Sequence, residues 1–387
     1  MSIHDVVDVR LPSPRLAPLR RGHPWLYGHP DLHFPELPTG QSVHLVDERD
    51  DTAVAYGLYD PGAAIVFRAY DRKVPVSAEY FHRRLVQCLD KRRPLRKVTD
   101  AIRILHGEND GIPAVVLDQY GDHAVLKLYS KALLPWVETI ADLLQGMDTF
   151  SGVYLRCSRS MDTPARVLFG EVPEQITIAE HGMRFNVDVR HGQKTGFFID
   201  QRDGRQLARA RAGGRSVLNC FSYTGGFSVA ALLGAAEKVI SVDASAAAIA
   251  ACDEHVKINA PSLADRHEGV VDDVWAYLRC DNSRFDMIIL DPPTFTGDKA
   301  SMGRAQKAYR DLHEAALRRL RSGGLLLTCS CSSRITETMF STLVQETAVA
   351  CGWRLRCLES LNQPLDHPTR NKFPEGKYLK VMLYGPR

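Results

Sequence analysis

Val217-Leu-Asn-Cys-Phe-Ser-Tyr-Thr-Gly-Gly226 is the stretch whose reading decides the fold. Val217 and Leu218 close a buried strand, Asn219 to Gly226 form a loop with two glycines, and Phe227 to Leu233 carry the small and apolar residues of a helix. A strand, a glycine loop and a helix in that order bring the backbone close to a ligand at the mouth of a parallel sheet. Lys238-Val-Ile-Ser-Val242 then reads as a second strand ending on Asp243, an acid placed to accept from both hydroxyls of a ribose. The loop departs from a strict G-x-G-x-x-G, because Ser222-Tyr223-Thr224 widens it. A nucleoside without a pyrophosphate fits such a loop better than a dinucleotide does, S-adenosylmethionine (SAM) being one. A packing turn in any doubly wound domain would look similar.

Downstream the alternation continues. A helix runs over residues 246–259, a strand near 268–271 ends on Asp272-Asp273-Val274, and Phe285 to Leu290 lead into Asp291-Pro-Pro293. An acid after a third strand sits beside an adenine amine, and Asp273 is preferred over its neighbour Asp272. A basic helix over 304–321 holds six cations, Lys307 among them, against two acids. Gly323-Gly324 turns into the strand Leu325 to Thr328, followed by Cys329-Ser-Cys331. Strand and helix alternate throughout this half, the pattern of a parallel, doubly wound α/β sheet.

The first half has a different texture. Residues 1–72 read as a small β-rich unit in which Arg10, Arg15, Arg20 and Arg21 form a basic arm before Gly22-His-Pro-Trp25-Leu-Tyr27. Arginines with interleaved aromatics suit RNA, where cations take phosphates and rings stack on exposed bases; the same residues also suit a solvated face over an aromatic core. A helix over 77–97 follows with seven basic residues, Arg92 and Arg93 among them, against two acids. It reads as a solvated surface or as a stripe facing RNA. Residues 73–180 form an α+β connector. From 181 to 387 the chain is one domain, entered through His191-Gly-Gln-Lys-Thr-Gly-Phe-Phe-Ile-Asp-Gln-Arg202. That entry is either a turn whose phenylalanines fill a core or a lid over the cofactor, with its backbone and Thr195 toward the cofactor's polar end.

Composition sets the outer bounds. With 387 residues, two or three domains are expected, and 25% charged with 44% hydrophobic residues is ordinary for a soluble globular chain. No apolar run reaches the roughly 20 residues of a membrane span, and the N-terminus carries no signal peptide, so a cytoplasmic location is expected. The nine cysteines form no C-x-x-C pair, which points to a reducing compartment without a zinc site or disulfide framework. At a net charge of +3, any nucleic-acid binding has to come from local clusters.

Taken together, Arg21-Gly-His-Pro-Trp25, Gly107-Glu-x-Asp-Gly111, Gln193-Lys-Thr-Gly-Phe-Phe198, Asp200-Gln-Arg202, Asn219 to Gly226, Asp291-Pro-Pro293, Ser330-Cys331-Ser332 and Asp366-His-Pro368 resemble one family along nearly the whole chain. It is the family of PUA-domain-containing, SAM-dependent RNA methyltransferases that make 5-methylcytidine in large-subunit (23S) ribosomal RNA. The resemblance implies a small β-barrel PUA domain, an α+β connector, a class I methyltransferase domain and often a homodimer. It implies SAM contacts from Gln193, Thr195, Phe198, Asn219, Phe221, Ser222, Tyr223, Thr224, Gly225, Asp243, Ser245, Asp273, Val274, Asp291 and Pro292. RNA contacts are expected from Arg20, Arg21, Trp25, Arg92, Arg93 and Lys307, and no metal is expected.

The chemistry needs a cysteine. Cytosine C5 is a poor nucleophile until a thiolate adds at C6, so a thiol must stand beside the base. The family places its nucleophile at Cys331, and Asp291 would hold the base through its N4 amine or protonated N3. A broader group of cytosine-5 RNA methyltransferases has a second cysteine next to the D-P-P prolines. Here that position reads Pro293-Thr-Phe295, so the group that takes the C5 proton is unassigned. Two alternatives remain at this level: another RNA methyltransferase chemistry such as guanine N7, and a non-catalytic RNA-binding or assembly factor on the same fold.

Overall fold

The computed structural model describes residues 2–280, 282–295 and 302–387, and they fall into two compact units. The first unit comprises residues 1–180, 186–199 and 365–376; the second comprises 181–185, 200–364 and 377–387. The units do not follow the chain order of the three expected segments, because residues 186–199 and 365–376 belong with the N-terminal half.

In the first unit, β1 (Val7–Leu11), α1 (Ser13–Arg20), β2 (Trp25–Tyr27), β3 (Ser42–Asp47), β4 (Ala53–Tyr59) and β5 (Ile65–Asp71) build a five-stranded sheet in the order β1-β3-β4-β5-β2. Alternating apolar residues put Leu11, Val43, Leu45 and Phe67 into a core shared with Leu16 and Leu19 of α1. The expected basic arm is therefore a strand and a helix. Its leucines are buried, which an arm in solution could not offer.

Next come α2 (Ala78–Arg92), β6 (Ala101–His106), β7 (Val115–Tyr120), β8 (His123–Leu128), α3 (Val137–Gln145), β9 (Gly152–Cys157) and β10 (Arg166–Gly170). The strands form a second five-stranded sheet, β10-β9-β8-β7-β6. Phe81 and Leu85 of α2 pack with Ile104, Leu117, Leu126 and Trp136 in its core. The Ser77 hydroxyl accepts from the Tyr80 amide and caps α2. The helix was expected to reach Lys97 but ends at Arg92, and residues 93–97 form a 3-10 turn. Pro94 is the cause, since its ring and missing N–H exclude the α-helical hydrogen bond there. Strand β11 (Gln175–Glu180) completes this half, and β12 (Met183–Asp188) is divided, residues 183–185 falling in the second unit and 186–188 in the first.

The second unit contains α4 (Arg202–Arg211), β13 (Ser216–Cys220), α5 (Gly226–Leu233), β14 (Lys238–Asp243), α6 (Ala246–Asn259), β15 (His267–Val271), α7 (Val274–Cys280), β16 (Phe285–Leu290), α8 (Met302–Arg319), β17 (Leu320–Ser330), α9 (Glu337–Ala350), β18 (Leu355–Leu361) and β19 (Lys380–Pro386). Its seven strands run β15-β14-β13-β16-β17-β19-β18. The first five are parallel, and β19 pairs antiparallel with β17 and β18. Strand order reverses between β13 and β16, the switch point beyond whose carboxyl ends doubly wound sheets bind ligands. β17 starts earlier than expected, at Leu320. The register jump from Phe285↔Leu320 to Met287↔Leu325 takes up the Gly323-Gly324 segment as a bulge rather than a preceding turn.

Candidate active site

Four neighbouring strands of the second unit deliver the predicted residues to one edge. Asn219 lies in the last two residues of β13 at the start of the glycine loop, and Asp243 ends β14; beyond β15 come Asp273 and Val274, and beyond β16, Asp291 and Pro292. The loop is strained by design. Phe221 and Tyr223 have φ of +58° and +47°, a conformation that costs non-glycine residues roughly 1–3 kcal/mol each and that clusters at ligand sites. Asp243 holds it: Oδ2 accepts from the Tyr223 amide at 2.9 Å and Oδ1 from the Ser245 amide at 2.9 Å. Each carboxylate oxygen keeps a further lone pair for a ribose hydroxyl. The Ser245 hydroxyl caps α6, accepting from the Ala248 amide.

Gly225 is required where it stands. Its φ is +78°, and a Cβ there would lie 2.2 Å from Cys252 Sγ. Two buried polar atoms of the loop, Asn219 Oδ1 and Ser222 Oγ, have no hydrogen-bond partner among the described residues. Buried acceptors are normally satisfied, so such atoms fit a polar ligand lying over the loop. Beneath it, Asn219 Nδ2 donates to Ser228 Oγ at 2.8 Å, and Ser228 contacts Ser241 Oγ at 2.6 Å, so the loop rests on a fixed polar floor. Asp273 Oδ1 accepts from the Ala276 amide at 3.0 Å, and the Asp272 amide donates to the Asp243 carbonyl at 3.1 Å.

Cys331 lies just past the end of β17, next to β16 and its Asp-Pro-Pro. Its thiol is 3.9 Å from Asp291 Oδ1, and its carbonyl accepts from the Thr294 hydroxyl at 3.4 Å. Cys331 is half-buried, whereas Cys329, two residues earlier, is wholly buried in register with Val381. Burial, reinforced by the Asp291 carboxylate, pushes the Cys329 thiol well above its ordinary value, so it stays protonated.

Two functional side chains had no role assigned from sequence. Gln201 Nε2 donates to Asp291 Oδ2 at 2.9 Å and fixes the carboxylate from the side away from Cys331. Lys380, the first residue of β19, stands opposite Ser330 and is 3% exposed. Its Nζ donates to the Ser332 carbonyl and, at 2.8 Å, to the Tyr378 carbonyl. Burial lowers its pKa to about 8, opposed by attraction to Cys331. The signal that could have found it is a lysine in an otherwise apolar strand, Leu379 to Tyr384.

Gln193, Thr195 and Phe198 belong to the first unit, where the Thr195 hydroxyl is buried against Asp118 Oδ2 at 2.5 Å and the Tyr120 hydroxyl at 2.8 Å. Phe197 is buried and Lys194 Nζ lies 4.3 Å from the centre of the Phe198 ring. Arg92 corrects the expectation of an RNA-facing stripe. It is 1% exposed, and its guanidinium grips both oxygens of Asp110, because α2 presents that position to β6 rather than to solvent. Arg20 is tied to Asp47 and to the hydroxyls of Ser13 and Thr52. Trp25 donates to Glu108 at 2.8 Å and packs edge-on against Phe373. Arg21 and Arg93 are exposed, as is Lys307, which pairs with Asp311 one helical turn away.

A glycine loop, a ribose-placed acid and unpartnered polar atoms at a switch point define a nucleoside-binding doubly wound enzyme, and the comparisons agree. Residues 150–384 match the S-adenosylmethionine-dependent methyltransferase model and residues 9–72 match a PUA-like domain model. The chain is thus a SAM-dependent methyltransferase with a PUA-like N-terminal domain. It is 35% identical over 390 residues to Ribosomal RNA large subunit methyltransferase I of Escherichia coli, covering 97% of this chain and 98% of that protein, and it belongs to that family. Among solved structures, a Streptococcus mutans protein assigned as a SAM-dependent methyltransferase aligns over 98% of this chain and 100% of its own, with TM-score 0.84 and 27% identity. SMU.776, crystallised with SAH, aligns over the same shares with TM-score 0.84 and 28% identity. No helix among the described residues is long and apolar enough to cross a membrane. No cluster of metal-ligating side chains occurs among them either.

Proposed function

We propose that this chain methylates C5 of a cytidine in large-subunit ribosomal RNA, with Cys331 as nucleophile. The observation that carries the reading is the half-buried Cys331 thiol 3.9 Å from Asp291, beside a neighbouring cysteine that is fully enclosed. The Escherichia coli relative, named a ribosomal RNA large subunit methyltransferase, supports the RNA class. SAM supplies an electrophilic methyl group on its sulfonium. The Cys331 thiolate adds to cytosine C6, and the electron pair released toward C5 makes that carbon the nucleophile. Asp291, held by Gln201, accepts from the N4 amine or from protonated N3 and fixes the orientation of the ring. Lys380, when protonated, favours the thiolate beside it. After C5 loses its proton, the C6–S bond breaks and Cys331 leaves as thiolate. Arg20, Arg21, Arg93 and Lys307 are the exposed members of the proposed RNA contacts.

RNA containing 5-fluorocytidine tests this, since fluorine at C5 blocks the elimination. The expected product is a covalent adduct on Cys331. Cys331→Ala should form none and lose methylation while binding SAM, whereas Cys329→Ala keeps most activity. An adduct on Cys329, full turnover by Cys331→Ala, or methyl found on guanine N7 overturns the reading.

A further inference from the structure

Three motifs that the methyl-transfer site does not use are far apart in sequence and meet inside the first unit. They are Arg21-Gly-His-Pro-Trp25, Gly107-Glu-Asn-Asp-Gly111 and the stretch after Asp366-His-Pro368. Gly22 has φ +95°, and a Cβ there would stand 2.6 Å from the Lys372 side chain. His23 Nε2 lies 3.3 Å from Glu375, and the Trp25 ring is 4.8 Å from that of Phe373. Asn109 Oδ1 accepts from the Arg370 amide at 3.1 Å. The Asp366 carboxylate accepts from the Arg103 amide at 3.1 Å, which ties the segment to β6.

This interlock walls a cavity of about 680 Å³, well inside the range of ligand sites. Its charged lining is one-sided: Arg72, Lys73, Arg84, Arg370 and Lys372 against Asp71 alone. Asp71 is already engaged, by Arg84 at 3.2 Å and by the Lys73 amide at 2.9 Å. Arg72 is turned to the carbonyls of α1. Lys73, Arg370 and Lys372 are exposed. A concave surface with surplus cations concentrates polyanions, since low-dielectric walls focus the field.

We propose that this cavity is a docking site for the phosphodiester backbone of a single RNA strand, separate from the methyl-transfer edge. The choice of RNA rests on the proposed function; the cationic cavity does not. Arg370 and Lys372 each hold one phosphate, and Gly22 keeps the place of the Lys372 stem. Segment 365–376 therefore serves RNA capture, although it lies near the end of the chain.

The test is the salt dependence of binding of a single-stranded oligoribonucleotide to the full chain. Arg370→Gln with Lys372→Met removes two charges and keeps the Lys372 methylenes against Gly22. The magnitude of the slope of log K against log salt should fall by about 1.4, at roughly 0.7 per phosphate contact on single strands. SAM affinity, measured by calorimetry, should stay unchanged. If that double variant melts, Lys73→Ala on the exposed rim should lower the slope by about 0.7. An unchanged slope in a variant that binds SAM normally overturns the docking site. Equal competition by polyglutamate of matched charge overturns RNA as its ligand. The assay involves no methyl transfer, so it separates the two proposals. A lowered slope with no 5-methylcytidine formed sinks the cytosine reading alone, and a Cys331 adduct with an unchanged slope sinks the cavity alone.

Discussion

Two buried polar clusters, one in each unit, are treated in opposite ways. In the first, Arg92 meets Asp110 through two hydrogen bonds and Arg103 meets Asp118 through two more, all four side chains nearly sealed from water. In the second, the carboxyl edge of the sheet keeps its polar groups incompletely matched. Among the described residues, Asn219 Oδ1 and Ser222 Oγ have no partner, Lys380 Nζ donates to the carbonyls of Ser332 and Tyr378, and the Cys331 thiol lies 3.9 Å from Asp291. A charge pair with every donor and acceptor satisfied fixes a fold and does little else. A buried group left short of partners is costly alone and is stabilised when a ligand completes it.

The sharpest way to break this contrast is Arg92→Ala. It leaves the Asp110 carboxylate buried without its counter-ion, and losing one member of such a pair costs roughly 3–5 kcal/mol. Chemical denaturation should show a loss of that size, and a loss under 1 kcal/mol would mean that Asp110 is rescued by other donors such as the His106 amide, 2.8 Å away. Arg92→Met with Asp110→Leu should recover much of it, because an apolar pair of similar volume removes the desolvation cost along with the attraction.

A second, smaller effect sharpens the comparison on the other unit. His313 of α8 is fully buried against β17, its Nδ1 2.6 Å from the Tyr309 carbonyl and its Nε2 2.9 Å from the Thr328 hydroxyl. Burial lowers its pKa to about 4, against 6.5 when unfolded. Between those values the unfolded chain binds the extra proton, so stability falls as pH drops from 6.5 toward 4 and is fully present above 6.5. The difference amounts to on the order of 3 kcal/mol. Melting of the wild type and of His313→Gln across that range should diverge by this amount at the acid end. Parallel curves would show that His313 does not couple folding to pH.

Legibility follows the same physical line. The placement of the glycine loop, Asp243, Asp291 and Cys331 along one edge could be read because a parallel sheet brings its strand ends together, with glycines and prolines punctuating the loop after β13 and the turn after β16. Arg92 was misread because a cation's fate depends on what lies across from it. Its partners are Asp110, 18 residues on, and the carbonyl of Asp366, 274 residues on. Lys380 was missed for the same reason, its significance arising from pairing of β19 with β17. Segment 365–376 was assigned to the second half by chain order, yet its hydrogen bonds run to Arg103 and Asn109.

Arg93 gives the smallest effect and the cleanest control, because it is the next residue to Arg92 and chemically identical. Its side chain is 77% exposed and pairs only with Asp90, itself 58% exposed, on the same helical face. Solvent screens such a pair, and surface ion pairs of this spacing contribute roughly 0.3–0.5 kcal/mol. Arg93→Ala should therefore change stability by less than about 0.5 kcal/mol, and moderate salt should erase even that. Should Arg93 also hold an RNA phosphate, the variant would lower the salt slope of single-strand binding by about 0.7 with no change in melting. A stability loss approaching that of Arg92→Ala would mean that position in sequence, rather than burial and pairing, sets the worth of these arginines, and the contrast between the two units would fall with it.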